Sequence, residues 1–180
     1  MNEVIVYIVN LNNFNYSKEY TNNNDKQKEI SRYLKTKYID EVITYNDYGK
    51  PIAKDIFLNV SHSNERVVMA VAKKEVGVDI EYIKPSMKSH LHKMFSEEEL
   101  KEIKTPKDFY SLWTRKESLL KCVGTGITQE LKTVPTETSK VLTFNNKKYI
   151  TKSLDLGDYY LSVTLETTLY FAIKLIELSF

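Results

Sequence analysis

The order of the predicted elements indicates an α+β fold. An apolar, β-branched strand pattern at residues 4–9 is followed by an amphipathic helix pattern and then by three short strand patterns in quick succession. Two helices with clear start signals come next, and strand patterns return near the C-terminus. Because strands and helices do not alternate strictly, a βαβα arrangement is disfavoured. A length of 180 residues with 42% hydrophobic residues suits one core or two small lobes.

Charge and cysteine content exclude some function classes. The 26 Lys and Arg residues nearly balance the 24 Asp and Glu residues, which disfavours a general nucleic-acid binder but leaves a local anion site open. The single cysteine, Cys122, cannot form an internal disulfide, so a reducing, cytoplasmic setting is expected. The apolar run at residues 4–9 is too short for a signal sequence or a membrane span, so no membrane partner is expected.

The first half of the chain is predicted to hold one helix and four strands. The Asn-rich residues 10–24 are typical of a loop, and the apolar spacing from Asp25 to about Tyr38 predicts an amphipathic helix with a lysine-rich outer face. Turn residues at 48–51 precede predicted strands at 56–60, 67–72 and 76–81.

The second half has two strong helix start signals. Ser96 and Glu99 form a capping-box pattern, and Thr105 followed by Pro106 predicts a second helix that runs to about Val123 and stops at Gly124. The remaining strand patterns, at 149–150, 159–165 and 169–178, predict an antiparallel meander.

Two carboxylates share one face of the strand at 76–81. Alternation places Gly77, Asp79 and Glu81 on the face opposite to the valines and isoleucine, with the two acids about 7 Å apart. Mg²⁺ prefers one or two protein carboxylates completed by water and phosphate oxygens. The alternative is an edge strand whose outer face is simply solvated.

A helical stripe is the second candidate for chemistry. Trp113, Glu117 and Lys121 lie four residues apart, so they share one face of the second helix. Such a face either lines a cleft or carries a surface Glu–Lys pair that contributes only about 0.3–0.5 kcal/mol. His62, at the end of an apolar strand, is a third candidate, with a hydrogen-bonded structural histidine as its alternative. His90 and His92 form an isolated H-x-H, for which a zinc site is not expected.

The order of these motifs along the chain resembles the 4′-phosphopantetheinyl transferases of the monomeric type that act on carrier proteins of peptide and polyketide synthetases. The resemblance is strongest over residues 45–127. It is carried by five segments in order: Gly49-Lys50-Pro51, Ser61-His62-Ser63, G-x-D-I-E at 77–81, Phe95-Ser96-x-x-Glu99 and W-T-x-K-E-x-x-x-K at 113–121. The third and fifth segments are highly specific when they occur together.

The resemblance implies transfer of the phosphopantetheine arm of coenzyme A to a carrier serine, with release of 3′,5′-ADP. It implies that Asp79, Glu81 and Glu117 hold Mg²⁺ against the pyrophosphate of coenzyme A. A divalent cation would relieve the repulsion among clustered carboxylates, which is roughly 4 kcal/mol per close contact at an effective dielectric of about 20. The resemblance offers Glu117 as the base that accepts the serine proton, with Glu99 as the alternative.

The resemblance also implies a set of coenzyme A contacts. Lys121 is expected to meet a phosphate oxygen, and so is Lys116, which is part of the same motif. The remaining expected contacts are Gly49, Lys50, Pro51, Ser61 and His62. The basic segment that usually holds the 3′-phosphate has no clear match, and Lys26, Lys28 or Arg32 are the available substitutes.

The implied architecture is two similar α/β lobes in a pseudo-twofold arrangement, with the active site in the cleft between them. We expect the N-terminal lobe at 1–74 to contact coenzyme A and the C-terminal lobe at 75–180 to carry the metal site. The N-terminal half is short for this type. We expect a monomer whose partners are coenzyme A and an apo acyl or peptidyl carrier protein.

Carrier proteins of this kind are acidic around their serine, so a basic surface is expected to dock them. The candidate patch consists of Lys84, Lys88, His90, His92 and Lys93, and its alternative is a solvated loop. Two other function classes stay open at this point. They are a non-catalytic coenzyme A-binding or scaffold protein of the same fold and a generic metal-dependent phosphohydrolase.

Overall fold

The computed structural model describes residues 2–86, 91–126 and 131–180. Its elements in chain order are β1 (Asn2–Asn10), α1 (Asn23–Tyr38), β2 (Thr44–Tyr45), β3 (Pro51–Ile52), β4 (Phe57–Ser63), β5 (Arg66–Ala72), β6 (Val76–Tyr82), α2 (Glu97–Glu102), α3 (Pro106–Val123), β7 (Val141–Phe144), β8 (Lys147–Asp155), β9 (Tyr159–Glu166) and β10 (Phe171–Leu178). The predicted α+β class is therefore confirmed. None of the helices described there is long and apolar enough to cross a membrane.

Two four-stranded sheets organise the fold. The first has the order β10-β1-β5-β4, and the second has the order β6-β9-β8-β7 and is antiparallel throughout. A separate two-stranded hairpin joins β2 to β3. β5 and β6 are consecutive in the chain but belong to different sheets, so the chain passes from one sheet to the other at residues 73–75.

The predicted C-terminal meander is wrong for its last strand. β7, β8 and β9 do form a meander, but β10 leaves it and pairs in parallel with β1, with Val4 opposite Ile173. In this position Phe171 is fully buried in the core shared by both sheets, and Ile173 packs against the same core. The last strand of the chain therefore lies in the same sheet as the first strand.

The main hydrophobic core lies between the two sheets. Alternate residues of β1 and β5, such as Val4, Val6 and Ala70, contact Val78 and Ile80 of β6. A helix covers the other face of each sheet. α1 packs Ile30 and Leu34 against Val67 and Met69, and α3 packs against β6 and β9.

The helix ends follow the predicted signals. Ser96 and Glu99 make both hydrogen bonds of a capping box, and Thr105 and Asp108 make both bonds of a second one. α3 ends where Gly124 adopts the left-handed conformation with a φ of 81°, which a residue without a Cβ adopts at low cost. These caps fix where α3 begins and ends relative to the sheet beneath it.

Candidate active site

A close approach between α3 and β6 brings the predicted site residues together. A Cβ atom added at Gly77 would lie 2.0 Å from the carbonyl oxygen of Ser118 and 2.3 Å from the amide nitrogen of Cys122. Only a glycine at position 77 therefore lets the backbone of α3 rest directly on β6. Because Asp79 and Glu81 lie on the same face as Gly77, this contact places both carboxylates beneath α3.

Asp79 is the buried centre of the site. The residue is 4% exposed, so the alternative of a solvated outer strand face is wrong at this position. Its Oδ1 atom accepts hydrogen bonds from the Ser61 hydroxyl at 2.9 Å and from the Lys121 ammonium group at 2.5 Å. Its Oδ2 atom is buried and has no hydrogen-bond partner among the described residues.

Lys121 joins the two sheets across the site. Its ammonium group binds Asp79 of β6 and also donates to the Ser61 hydroxyl of β4 at 3.0 Å. The lysine of the predicted α3 stripe therefore pairs with an acid on the neighbouring strand. The side chain is 30% exposed, so its charge can also meet a ligand from the solvent side.

Glu81 lies at the outer end of the acidic face. One carboxylate oxygen accepts from the Ser63 hydroxyl at 2.8 Å, and the other accepts from the Trp113 indole nitrogen at 3.3 Å. Trp113 thus holds an acid in place through its polar edge while its ring packs in the α3 cluster with Phe109. Within the described ranges, no three His, Cys, Asp or Glu side chains are arranged to hold a metal ion.

A cleft of about 310 Å³ opens beside Lys121. Its size is within the usual range of small-molecule sites. α1, the β2–β3 hairpin, β4 and the C-terminal end of α3 supply its walls. The lining residues are Ser31, Lys35, Tyr45, Tyr48, Gly49, Lys50, Pro51, Asn59, Val60, His62, Lys121, Gly124 and Gly126.

Five of the predicted coenzyme A contacts meet in this cleft: Gly49, Lys50, Pro51, His62 and Lys121. Lys35 of α1 also lines it, whereas Lys26, Lys28 and Arg32 are not among its lining residues. The aromatic residues Tyr45 and Tyr48 also line the cleft, and neither was predicted as a contact, although Tyr48 belongs to the predicted turn at 48–51.

Lys50 is held by protein partners at the edge of the cleft. Its ammonium group pairs with Glu75 and donates to the carbonyl oxygen of Cys122 at 2.5 Å. Asn46 adds a second bond between the hairpin and α3, because its amide nitrogen donates to the Gly124 carbonyl at 2.8 Å. Both contacts fasten the turn at 46–50 to the last carbonyls of α3, where a cation is favourable.

His62 lies at the surface of the cleft. Desolvation of its ring by the surrounding protein, together with the nearby Lys121 ammonium group, lowers the pKa of the imidazole. The charge of Asp79 acts in the opposite direction but does not outweigh these two effects. The histidine is therefore neutral in the free protein at physiological pH.

Lys116 and Glu99 form a second, largely buried cluster, and neither residue lines the cleft. The Lys116 side chain is 0% exposed, and its ammonium group binds Glu99 at 2.8 Å and the backbone carbonyls of Leu131 and Val134. Glu99 also accepts from the Ser96 amide and the Thr136 hydroxyl. Burial lowers the pKa of Lys116, and Glu99 partly offsets this effect. The structure thus keeps these two predicted site residues away from the cleft.

The predicted docking patch is described in part. Lys84, His92 and Lys93 are exposed, while Lys88 and His90 lie outside the described residues. Cys122 is buried at the end of α3, where burial raises the pKa of its thiol to about 12 and removes it from thiolate chemistry.

Comparison with known proteins identifies the family. The family model described as the 4′-phosphopantetheinyl transferase superfamily matches residues 75–164, which include β6, α2 and α3. The chain belongs to this superfamily. The matched segment contains Asp79, Glu81, Glu117 and Lys121.

Individual relatives carry the same name. The chain is 32% identical over 150 residues to the 4′-phosphopantetheinyl transferase gsp of Aneurinibacillus migulanus, covering 70% of this chain and 63% of that protein. It is 33% identical over 111 residues to the transferase Sfp of Bacillus subtilis, covering 57% and 50%. It is 32% identical over 118 residues to the transferase HetI of Nostoc sp., covering 55% and 50%. The chain thus spans about half the length of the curated relatives it matches.

Proposed function

We propose that the protein transfers the 4′-phosphopantetheine group of coenzyme A to a serine of an apo acyl or peptidyl carrier protein. The observation that carries the proposal is the Asp79–Lys121 pair, in a superfamily member, at the edge of a cleft lined by basic and aromatic side chains. In the reaction, the serine oxygen bonds to the phosphorus that carries the pantetheine arm. The pyrophosphate P–O bond breaks, and 3′,5′-ADP leaves.

The acidic residues fit a divalent cation, which the proposed reaction uses as Mg²⁺. The buried Asp79 Oδ2 atom has no donor among the described residues, and a cation would supply its missing partner. Two protein carboxylates with phosphate and water oxygens are a normal Mg²⁺ ligand set, so Asp79 and Glu81 suffice. Glu117 is the proposed third ligand, although the described side chains do not bring three acids together at one metal position. The metal would neutralise the charge that develops on the leaving phosphate.

Lys121 has a proposed second role when coenzyme A is bound. Its ammonium group now neutralises Asp79, and it lines the cleft. A bound cation would take over the charge of Asp79, which frees Lys121 to donate to a phosphate oxygen. Lys50 and Lys116, the other proposed phosphate contacts, would have to leave their present protein partners to do the same.

Glu117 is the proposed base that accepts the serine proton. It lies on α3 one turn before Lys121, whereas both carboxylate oxygens of the alternative base Glu99 already accept hydrogen bonds from Ser96 and Thr136. Glu99 also carries the ion pair to Lys116. These contacts favour a structural role for Glu99, and Glu117 stays the proposed base because it lies on the same face of α3 as Lys121.

Further residues are proposed to contact coenzyme A and the carrier protein. Gly49, Pro51, Ser61 and His62 are the proposed further contacts of coenzyme A, and the exposed Lys84, His92 and Lys93 are proposed to face the acidic carrier.

We also propose a cytoplasmic monomer of two lobes, 1–74 and 75–180, related by a pseudo-twofold axis. In this division β10 belongs to the second lobe but pairs with β1 in the sheet of the first lobe.

The decisive experiment measures the mass of a carrier protein. After incubation with the protein, coenzyme A and Mg²⁺, an apo carrier should gain about 340 Da, the mass of the transferred arm on its serine. Carriers of fatty-acid, peptide and polyketide synthesis are tested in parallel, each beside a copy whose acceptor serine is alanine. No gain with any carrier, together with tight coenzyme A binding, would favour a binding protein instead. Phosphate release from simple esters without a carrier would favour a phosphohydrolase.

The state of His62 predicts the pH dependence of coenzyme A binding. The pKa of the free imidazole is lowered, and the phosphates of a bound coenzyme A would raise it. Binding then takes up a proton, so affinity should increase as the pH falls from about 8 to about 6. Calorimetry in two buffers of different ionisation enthalpy measures this uptake. The proton uptake should be lost in His62→Gln, and an unchanged uptake in that variant would remove His62 from the phosphate site.

A further inference from the structure

Among the described residues, one backbone edge of β6 pairs with no other strand, and side chains of β4 accept hydrogen bonds from the amides of that edge. In the second sheet β6 pairs with β9 through one edge only. At its other edge the amides of Val78, Ile80 and Tyr82 point toward β4. We call the three β4 residues that accept from these amides the polar row: Asn59, Ser61 and Ser63.

The polar row repeats one arrangement every two residues. Asn59 accepts from the Val78 amide at 3.0 Å, Ser61 from the Ile80 amide at 3.4 Å, and Ser63 from the Tyr82 amide at 3.0 Å. Because side chains alternate along a strand, the polar row occupies one face of β4, and Val60 and His62 occupy the other. Val60 and His62 line the cleft, and so does Asn59 at one end of the row. The cleft wall and β6 are therefore joined through a single strand.

The two serines of the row also bind the two acids. The Ser61 hydroxyl donates to Asp79 at 2.9 Å, and the Ser63 hydroxyl donates to Glu81 at 2.8 Å. Each hydroxyl thus accepts from one backbone amide and donates to the carboxylate of the preceding residue. A hydroxyl with both bonds made has its proton direction fixed, so it holds the carboxylate in one orientation.

We propose that Ser61 and Ser63 are positioning residues that orient Asp79 and Glu81 and fix their distance from the cleft wall. The proposal rests on the proposed function only in taking these two acids as the metal-binding pair. On this view the N-x-S-x-S pattern at 59–63 and the G-x-D-x-E pattern at 77–81 act together: the serines of the first orient the acids of the second. Asn59 is the exception, because it accepts from the Val78 amide while the preceding residue, Gly77, carries no acid.

Ser63 is the better residue to test. Ser61 also accepts from Lys121 and is nearly fully buried, so its replacement would disturb several interactions at once. Ser63 is only partly buried, and its replacement acts on Glu81 and the Tyr82 amide. A protein site loses about tenfold or more in affinity for its metal when a residue that orients one of the ligands is removed.

The expected results for Ser63→Ala have three parts. Hydrogen exchange of the Tyr82 amide, followed by NMR, should become about tenfold faster because its acceptor is lost. The Kd for Mn²⁺, measured by titration of the protein without coenzyme A, should rise by about tenfold. The transfer rate at saturating coenzyme A should fall by a similar factor. Ser63→Thr, which keeps the hydroxyl, should restore all three values.

Ser153→Ala is the matched control. Ser153 is also a partly buried strand serine with two side-chain hydrogen bonds, one shared with the Ser162 hydroxyl and one accepted from Arg115, and among the described residues it hydrogen-bonds to neither acid. We expect this variant to leave the Tyr82 amide and the Kd for Mn²⁺ unchanged.

The outcomes separate the two proposals. An unchanged exchange rate of the Tyr82 amide in Ser63→Ala would show that the hydrogen bond from this amide to Ser63 does not form in solution. Faster exchange with unchanged Mn²⁺ affinity would overturn the positioning role and leave a purely structural one. A wild-type protein that binds Mn²⁺ but modifies no carrier would contradict the proposed function, while the exchange and affinity measurements would still decide the role of Ser63.

Discussion

Gly77→Ala is expected to lower the free energy of unfolding by about 3 kcal/mol, the upper end of the usual range for overpacking. The new Cβ would meet backbone atoms of Ser118 and Cys122, which cannot move away as a flexible side chain can. α3 must shift off β6, and Glu117 and Lys121 shift with it. A displacement of about 1 Å at a catalytic group can cost about 100-fold in rate. Carrier modification should therefore fall by about that factor.

The control for this variant is Gly157→Ala. Gly157 lies in the turn between β8 and β9 with a φ of 80°, and a Cβ there meets nothing within 4 Å. Gly157→Ala should lower the free energy of unfolding by about 1 kcal/mol through backbone strain alone, and the rate of carrier modification should not change. Chemical denaturation and the rate of carrier modification measure both variants. Equal effects of the two substitutions would contradict the close approach of α3 and β6.

Local signals explain why the helices could be predicted from the sequence. The capping boxes at Ser96 and Thr105 and the stop at Gly124 depend on residues within one turn of each other. Such signals act in the same way in any fold. The two acids of β6 could be assigned to one face for the same reason, since strand alternation is local.

The partner of a strand is not a local property. The pattern at β10 is that of a strand, but nothing within the pattern indicates that it pairs with β1, more than 160 residues earlier in the chain. The polar row was missed for the same reason. The alternation of Asn59, Ser61 and Ser63 is visible in the sequence, yet its meaning depends on a strand of the other sheet.

The position of Lys116 could be deduced from helical spacing only in part. Phe109, Leu112 and Leu119 lie seven, four and three positions away and place Lys116 on a buried stripe of α3, but Trp113 and Leu120 place Glu117 beside buried residues in the same way. A charged residue in a recognised motif was instead expected to meet a phosphate. The geometry shows that its present partners are Glu99 and two backbone carbonyls.

Asp79→Ala is expected to abolish carrier modification, by about a thousandfold or more, while the fold is retained. The carboxylate removed is the proposed metal ligand, whose buried Oδ2 atom has no hydrogen-bond partner in the part of the chain that the structure describes. It is also the ion-pair partner of Lys121. The fold survives because Lys121 is 30% exposed, so water can solvate its ammonium group once the partner is lost. The loss in stability should then stay within about 1–3 kcal/mol.

Asp155→Ala provides the matched control, because Asp155 also pairs with a lysine, Lys107, at 2.5 Å but lies at the exposed end of β8. Carrier mass, thermal unfolding and Mn²⁺ titration are measured for both variants. Loss of Mn²⁺ binding and of transfer in Asp79→Ala alone would support a metal-holding carboxylate. Loss of transfer with Mn²⁺ binding intact would instead assign Asp79 to the positioning of Lys121. Retained transfer would remove Asp79 from the active site, and the proposed reaction would then have to proceed through Glu81 and Glu117 without the most deeply buried acid of the cluster.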